Sequence, residues 1–587
     1  MTKDWIPSAL ITTVLLSACM TSERAASPLP AGPDADTVLT NGSIKSPSGW
    51  ETSMAVRNGE IVAFGEQAET LVGPSTLQID LEGRAVFPGL HDMHVHPYFA
   101  GIEEMGCKFA SGAAPEVIKA SVKTCVDATT PGQWVEGGNW VAAVFEPGQQ
   151  TRQFLDEVSP DNPVFLWDES HHSAWVNSKA LELAGIDSQT PDPEGGIIDR
   201  DGDGRPTGVL RESAVGLVES IVPPPSIDQR RQALMWASQK MLSYGITSFT
   251  VASVRAEELP AWISLYDEGL IPQRARGCIV WAPDWASTDR DGAEMISQWA
   301  HRSSGRLKLD CVKMFVDGVP TESRTANMLE PYLPPHHNHD HTSFAKNGEL
   351  LIPQDELNEI VTQFDAADLH VKFHVVGDGA VRAGIKAVAF ARSQNGPDGP
   401  RHDLGHNSFV HPDDFQKALA AGVAWEFSPY IWYPTPIASI DITRTVGSFR
   451  MERWIPIADA IASGNLVVAG SDWSVVPSVN PFLAIETMVT RQRPGGGTET
   501  LGPGQAVSLE DAFQIMTQNG AELMGHGDQV GTLEIGKQAD FFIASENLFE
   551  MPITQVHNLN VEATFIAGKL VFADDEGLLS EEGGSTR

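Results

Sequence analysis

Eight short apolar runs, each followed by a stretch of helical character, recur along the chain between Val86 and Trp473. They leave few folds open. The first enters His94 and His96 in "FPGLHDMHVH"; the others are Tyr244–Ser253, Arg274–Pro283, Leu307–Gly318, Leu369–Ala380, Arg401–Val410, Ala421–Pro429 and Gly464–Trp473. Strand and helix in strict alternation build a parallel sheet. Eight such units predict an α/β fold, a (β/α)8 TIM-type barrel, whose functional groups project from the C-terminal ends of the strands. The polar residues of these runs stand at those ends.

The spacing is uneven in one place. A loop from a barrel strand to its helix needs only a few residues, so the long interval 103–227 after the first strand (86–102) is an inserted subdomain. Within it Asp199, Asp201 and Asp203 alternate before Gly204, as in a calcium loop. The twelfth position of such a loop needs a bidentate Glu and is Leu210 here, so the segment reads as a hairpin turn. The rest of the barrel occupies 228–528. On either flank, 36–85 and 529–576 alternate apolar and polar residues around Gly and Asn turns. These flanks are expected to combine into one small β-sandwich, and 577–587 to be a disordered tail.

At the N-terminus Lys3 precedes an apolar segment, Trp5–Leu16, too short to span a bilayer. It ends in Leu16-Ser17-Ala18-Cys19, which resembles a bacterial lipobox. That pattern implies a signal peptide over 1–18, a lipid anchor on Cys19, a flexible tether over 19–35 and an exported protein facing the periplasm or cell surface. The 77 acidic residues outnumber the 40 basic ones, a net charge of −37, which excludes nucleic acid and anionic membrane as natural partners. The remaining cysteines, Cys107, Cys125, Cys278 and Cys311, contain no CxxC pair and so no thiolate zinc site. Cys107 and Cys125 lie in one segment and can pair in an oxidising compartment, whereas Cys278 and Cys311 read as buried thiols in apolar runs.

His94 and His96 flank Val95, so on a strand both imidazoles face one side. His374 ends the fifth run, His406 the sixth and Asp472 the eighth, and Lys313 interrupts the apolar fourth. Imidazole and carboxylate groups gathered at strand ends suit zinc, and a buried lysine needs a compensating partner. Trp473, next to Asp472, is a candidate wall of a substrate pocket. His336, His337, His339 and His341 read as a solvated loop beside the mouth.

The order HxH, Lys, His, His, Asp on successive strands resembles the amidohydrolase superfamily. The wording of "HSAWVNSKAL", "PTGVLRE", "VKMFVDGVPTESRTA", "HVVGDGAV", "GHNSFVHPDDF", "GSDWSV" and "GTLEIGKQADF" is similar to its YtcJ-like branch, amidohydrolase family 3, which includes N-substituted formamide deformylases. The resemblance runs from about Asp36 to about Asp574. It implies that His94, His96 and Asp472 hold one zinc ion and His374 and His406 a second, with a carboxylated Lys313 between them. It further implies that a metal-activated hydroxide cleaves a C–N bond of a small amide, N-acyl or N-formyl substrate, with Asp472 as proton shuttle. His172 and Asn177 become candidates for substrate contact, and a homodimer is an open expectation. Gly405 stands where the branch carries Glu, and Gly379 where it carries Arg. Both departures spare the ligands and alter the hydrogen bonding around them. Deaminases of the superfamily carry a Glu three residues after the fifth-strand histidine, and Gly377 stands there. Lactone or ester hydrolysis on the same centre, and a non-catalytic binding or regulatory role, are the competing readings.

Overall fold

The segment "ITSFTVASV", rich in β-branched residues, forms a strand buried at all nine positions. Burial on both faces is what a strand wrapped by helices requires. Seven more strands share its environment, in a computed structural model that describes residues 33–574 apart from 111, 142–143, 147, 169–172, 194–195, 282–295, 322–323, 335–345 and 429. In chain order the barrel strands are strand 1 (Leu90–Val95), strand 2 (Ile246–Val254), strand 3 (Arg274–Trp281) and strand 4 (Leu307–Phe315). Strand 5 (His370–Val375), strand 6 (Asp403–His406), strand 7 (Ala424–Phe427) and strand 8 (Val467–Ala469) complete the set. Each pairs in parallel with the next, in sequential order. All eight apolar runs of the sequence are here.

The barrel is drawn together just beyond strand 8. Asp472 N–H donates to the His94 carbonyl at 2.7 Å, and His96 N–H donates to the Trp473 carbonyl at 2.6 Å. Gly470 permits this approach, since a Cβ there would lie 2.2 Å from the Cβ of His94.

The start of the barrel differs from expectation. Ala85–Pro88 belongs to a six-stranded outer sheet, and only Leu90–Val95 enters the barrel. The outer sheet pairs Ala85–Pro88 with Phe541–Ala544, so the two ends of the chain share hydrogen bonds. A four-stranded sheet, Glu60–Phe64, Met54–Arg57, Thr37–Thr40 and Leu77–Asp80, shares a core with it that includes Leu39, Val56, Phe541 and Phe565. A further six-stranded sheet runs from Cys107–Lys108 to Pro206–Glu212, inside the interval 103–227. There the Asp201 carboxylate accepts the N–H groups of Asp203 and Arg205, which makes the Asp-rich stretch a hairpin turn. The leader, nearly all of the tether, the His336–His341 tract, His172 and the tail 577–587 lie outside the described residues.

Both cysteine pairs form disulfides. Cys107–Cys125 joins a strand and a helix of the insert. Cys278–Cys311 corrects the expectation of two buried thiols. The parallel register of strands 3 and 4 sets these residues opposite one another, with Cα atoms 4.2 Å apart. Peptide mapping without reductant is expected to recover both linked pairs, and free thiols at Cys278 and Cys311 would contradict the strand register.

Glu258, just ahead of the helix Leu259–Asp267, is enclosed beyond strand 2 and accepts the N–H of Arg255 and the indole N–H of Trp262, both at 3.4 Å. Burial pushes its pKa up from 4.5 to about 8. An acid raised in the folded state contributes stability that is complete below its unfolded pKa and is lost as pH rises through the folded one. Glu258→Gln removes that loss. Its gain in melting temperature is expected to be small near about pH 5 and to reach a few degrees near about pH 8.5. Equal gains at the two pH values in thermal unfolding would show that the carboxyl is not held neutral.

Candidate metal centre

Alternation along strand 1 turns Asp92, His94 and the following His96 to one side. Asp92 is wholly buried and fastens the end of strand 8. Its carboxylate accepts the N–H groups of His94 and Ser471 at 3.1 and 3.0 Å and the Ser471 hydroxyl at 2.5 Å. Burial pushes its pKa up to about 6 against those bonds. The turn that follows delivers Asp472, whose Oδ1 lies 3.1 Å from Nε2 of His96 and 3.5 Å from Nε2 of His94. Ligand atoms of these three residues lie within 4.8 Å of one another. Asp472 and His406 both hold a left-handed backbone, with φ of 58° and 74°. Non-glycine residues take that conformation at a cost in free energy, and functional sites are where it concentrates.

The other expected residues stand close by. The His406 ring centroid is 4.7 Å from that of His94 and 4.3 Å from that of His374, and Nδ1 of His406 is 3.8 Å from Oδ2 of Asp472. Burial, helped by the positive Lys313, pushes His374 down to about 3 and His94 well below its ordinary value. Burial and the neighbouring His374 do the same to His406. These imidazoles are neutral at pH 7, with one nitrogen left as a lone-pair donor. Nε2–H of His374 points at the Gly318 carbonyl, 3.4 Å away. Lys313 is buried on strand 4, directly across from Lys372 on strand 5. Lys372 donates to Asp403 at 2.5 Å and lies 3.2 Å from Glu426, and these carboxylates raise its pKa over the cost of burial. Among the described residues Lys313 forms no ion pair. Burial, aided by the charge of Lys372, lowers its pKa to about 8.

Sequence reasoning missed Glu426, Ser428, Lys372 and Asp403, which surround the centre. Glu426 Oε2 lies 2.6 Å from Nδ1 of His94, and the Ser428 hydroxyl lies 3.0 Å from Nδ1 of His406. The available signal was a lone Glu in the apolar run "AGVAWEFSP", two residues from a serine and so on the same face. Both departures from the branch now have a spatial reason. A Cβ on Gly405 would lie 2.8 Å from Glu426 Oε2, and one on Gly379 would lie 2.2 Å from Oδ1 of Asn327. The space at each glycine is taken by a side chain from elsewhere in the fold.

Trp473 is largely buried and packs on Trp236, with ring centroids 5.7 Å apart. Asn177 corrects an expectation. It is wholly enclosed in the insert, where its oxygen accepts the N–H groups of Val164 and Ala180 and its amide donates to the carbonyls of Ser159 and Asn162. No donor or acceptor is left for a substrate. Asn177 caps the helix Ser178–Ala184 and ties it to the sheet.

A parallel barrel with imidazoles and a carboxylate converging at one end of its strands defines a class, the metal-dependent hydrolases built on this fold. The chain belongs to the amidohydrolase family, whose model matches residues 78–572, and within it to the YtcJ-like branch, family 3. It is 29% identical over 564 residues to Protein LONG AFTER FAR-RED 3 of Arabidopsis thaliana, covering 92% of each chain. It is 25% identical over 528 residues to N-substituted formamide deformylase of Arthrobacter pascens, covering 88% of this chain and 94% of that protein. An uncharacterized metal-dependent hydrolase from Pyrococcus furiosus shares the fold, with a TM-score of 0.69 at 24% identity over 87% of this chain and 99% of that one.

The donors fit a divalent cation. Nε2 of His94 and of His96 both face Oδ1 of Asp472, and the three residues offer ligand atoms within 4.8 Å of one another. Asn177→Ala is expected to lower stability by about 2–4 kcal/mol, from a lost cap and unpaired buried backbone groups. Bound metal and KM should stay unchanged. Denaturant unfolding with metal analysis checks this, and a raised KM at full stability would restore a substrate contact.

Proposed function

We propose that this chain is a metal-dependent hydrolase of C–N bonds in small amide, N-acyl or N-formyl compounds. The observation that carries the reading is the convergence of Asp472 on His94 of strand 1, on His96 just beyond it and on His406. His94, His96 and Asp472 would hold one zinc ion and His374 and His406 a second. Bound there, a divalent cation supplies Lewis acidity, polarising a carbonyl and lowering the pKa of a water from about 15.7 toward ~7. Asp472 takes the proton of the attacking water and returns it to the departing nitrogen, since an amide nitrogen leaves only once protonated. Its nearly complete burial keeps bulk water from that exchange. Trp473, held by Trp236, walls the substrate's side of the site.

Lys313 is suited to carboxylation because only the neutral amine adds CO2, forming an N–C bond and releasing a proton. Its lowered pKa supplies that amine near neutral pH, and the product is an anion between the two ion sites. Lys372 is unsuited, being held as a cation by Asp403 and Glu426. Likeness to the formamide deformylase supports a carbon–nitrogen substrate. Two disulfides suit an oxidising compartment and support export behind the leader.

The test is a panel of formamides, N-acyl amino acids, esters and lactones, offered to the metal-loaded protein and to Asp472→Asn. The variant is expected to keep its far-UV circular dichroism and lose at least roughly 10²-fold in kcat/KM on amides. Near-normal amide hydrolysis by the variant would remove Asp472 from proton transfer. A metal-loaded wild type inert on the whole panel would overturn the hydrolase reading in favour of a binding protein.

A further inference from the structure

Glu426 lies on strand 7, wholly buried, opposite Gly405 of strand 6. Its Oε2 meets three groups from three other strands. Nδ1 of His94 on strand 1 is 2.6 Å away and the Lys372 ammonium on strand 5 is 3.2 Å away, while the glycine on strand 6 leaves the space the oxygen fills. Two residues beyond Glu426, the Ser428 hydroxyl stands 3.0 Å from Nδ1 of His406. Two residues of one short segment thus reach a histidine from each of the two ion sites of the proposed hydrolase, Glu426 reaching His94 and Ser428 reaching His406.

We infer that Glu426 and Ser428 are the positioning residues of this centre: Glu426 holds His94 through Nδ1 in the tautomer that leaves Nε2 as the lone-pair donor, and Ser428 braces the His406 ring through its Nδ1. The chemistry follows from the acceptor. A carboxylate beside Nδ1 obliges that nitrogen to carry the proton, which leaves Nε2 unprotonated and fixes the plane of the ring. The Lys372 ammonium, 3.2 Å away, favours the charged form of this carboxyl against the cost of its burial. Gly405 is part of the device. A Cβ there would lie 2.7 Å from the Phe373 carbonyl oxygen and 2.8 Å from Glu426 Oε2, so a side chain would crowd both the neighbouring strand and the carboxylate.

This inference rests on the metal-hydrolase reading, and zinc affinity measured without substrate separates the two. The apo-protein is titrated with zinc against a chromophoric chelator for the wild type, Glu426→Gln, Glu426→Asp and Ser428→Ala. Glu426→Gln is expected to weaken zinc binding by roughly 10- to 100-fold, and Glu426→Asp, which restores the charge, to recover part of it. Ser428→Ala should weaken one of two zinc equivalents and spare the other. A merely structural role would shift the apo melting temperature and leave zinc affinity alone. Wild-type affinity in Glu426→Gln overturns the inference and leaves the hydrolase reading standing, whereas a wild type that holds no zinc sinks that reading itself. Should Glu426→Gln fail to fold, Ser428→Ala decides, because it removes no charge; equal affinity at both equivalents then overturns the inference.

Discussion

Two lysines face each other across adjacent strands inside a dry barrel, and the interior must balance them. Burying an unpaired ammonium costs far more than any single contact returns. Lys372 is balanced by Asp403 and Glu426. Asp403 in turn binds His370, and Glu426 binds His94, so the balancing charges tie strands 5, 6, 7 and 1 together. Lys313 is left without a counter-ion among the described residues, and it is the lysine to which the proposed carboxylation is assigned. The same asymmetry thus fixes the barrel's polar interior and marks which lysine has chemistry open to it.

The sequence disclosed the barrel because its signals are local. Apolar residues dominate most of the strands, and a barrel strand overlaps each of the eight runs. The expected ligands were visible for the same reason, since His94, His96, Lys313 and Asp472 interrupt apolar runs. Glu426 interrupts one too, but it stands between Trp425 and Phe427, and its meaning depends on a partner 332 positions away. Cys278 and Cys311 show this limit plainly: their pairing is a property of strand register, which no local pattern encodes. Asn177 errs the other way. A motif drew attention to it, yet four hydrogen bonds inside the insert consume its whole capacity.

The outer sheets follow a similar logic. Val86 and Phe87 continue smoothly into the first barrel strand as a pattern, so the run reads as one element. In three dimensions the chain changes sheets at Gly89, and Ala85–Pro88 pairs with a strand from the far end of the sequence. Hydrophobic periodicity records that a residue is buried, not which core buries it. The division between barrel and outer sheet therefore emerges only from pairing.

The place where the barrel's two ends meet carries a consequence for how the molecule comes to life. His96 and Asp472 are 376 positions apart and become neighbours only when the last strand docks on the first. A chain still emerging has no grip on a cation at this place, because half of the grip has yet to arrive. Assembly and arming are then one event. A cation captured there behaves as a clasp on the finished cylinder, holding shut the last place to close and the natural first place to open.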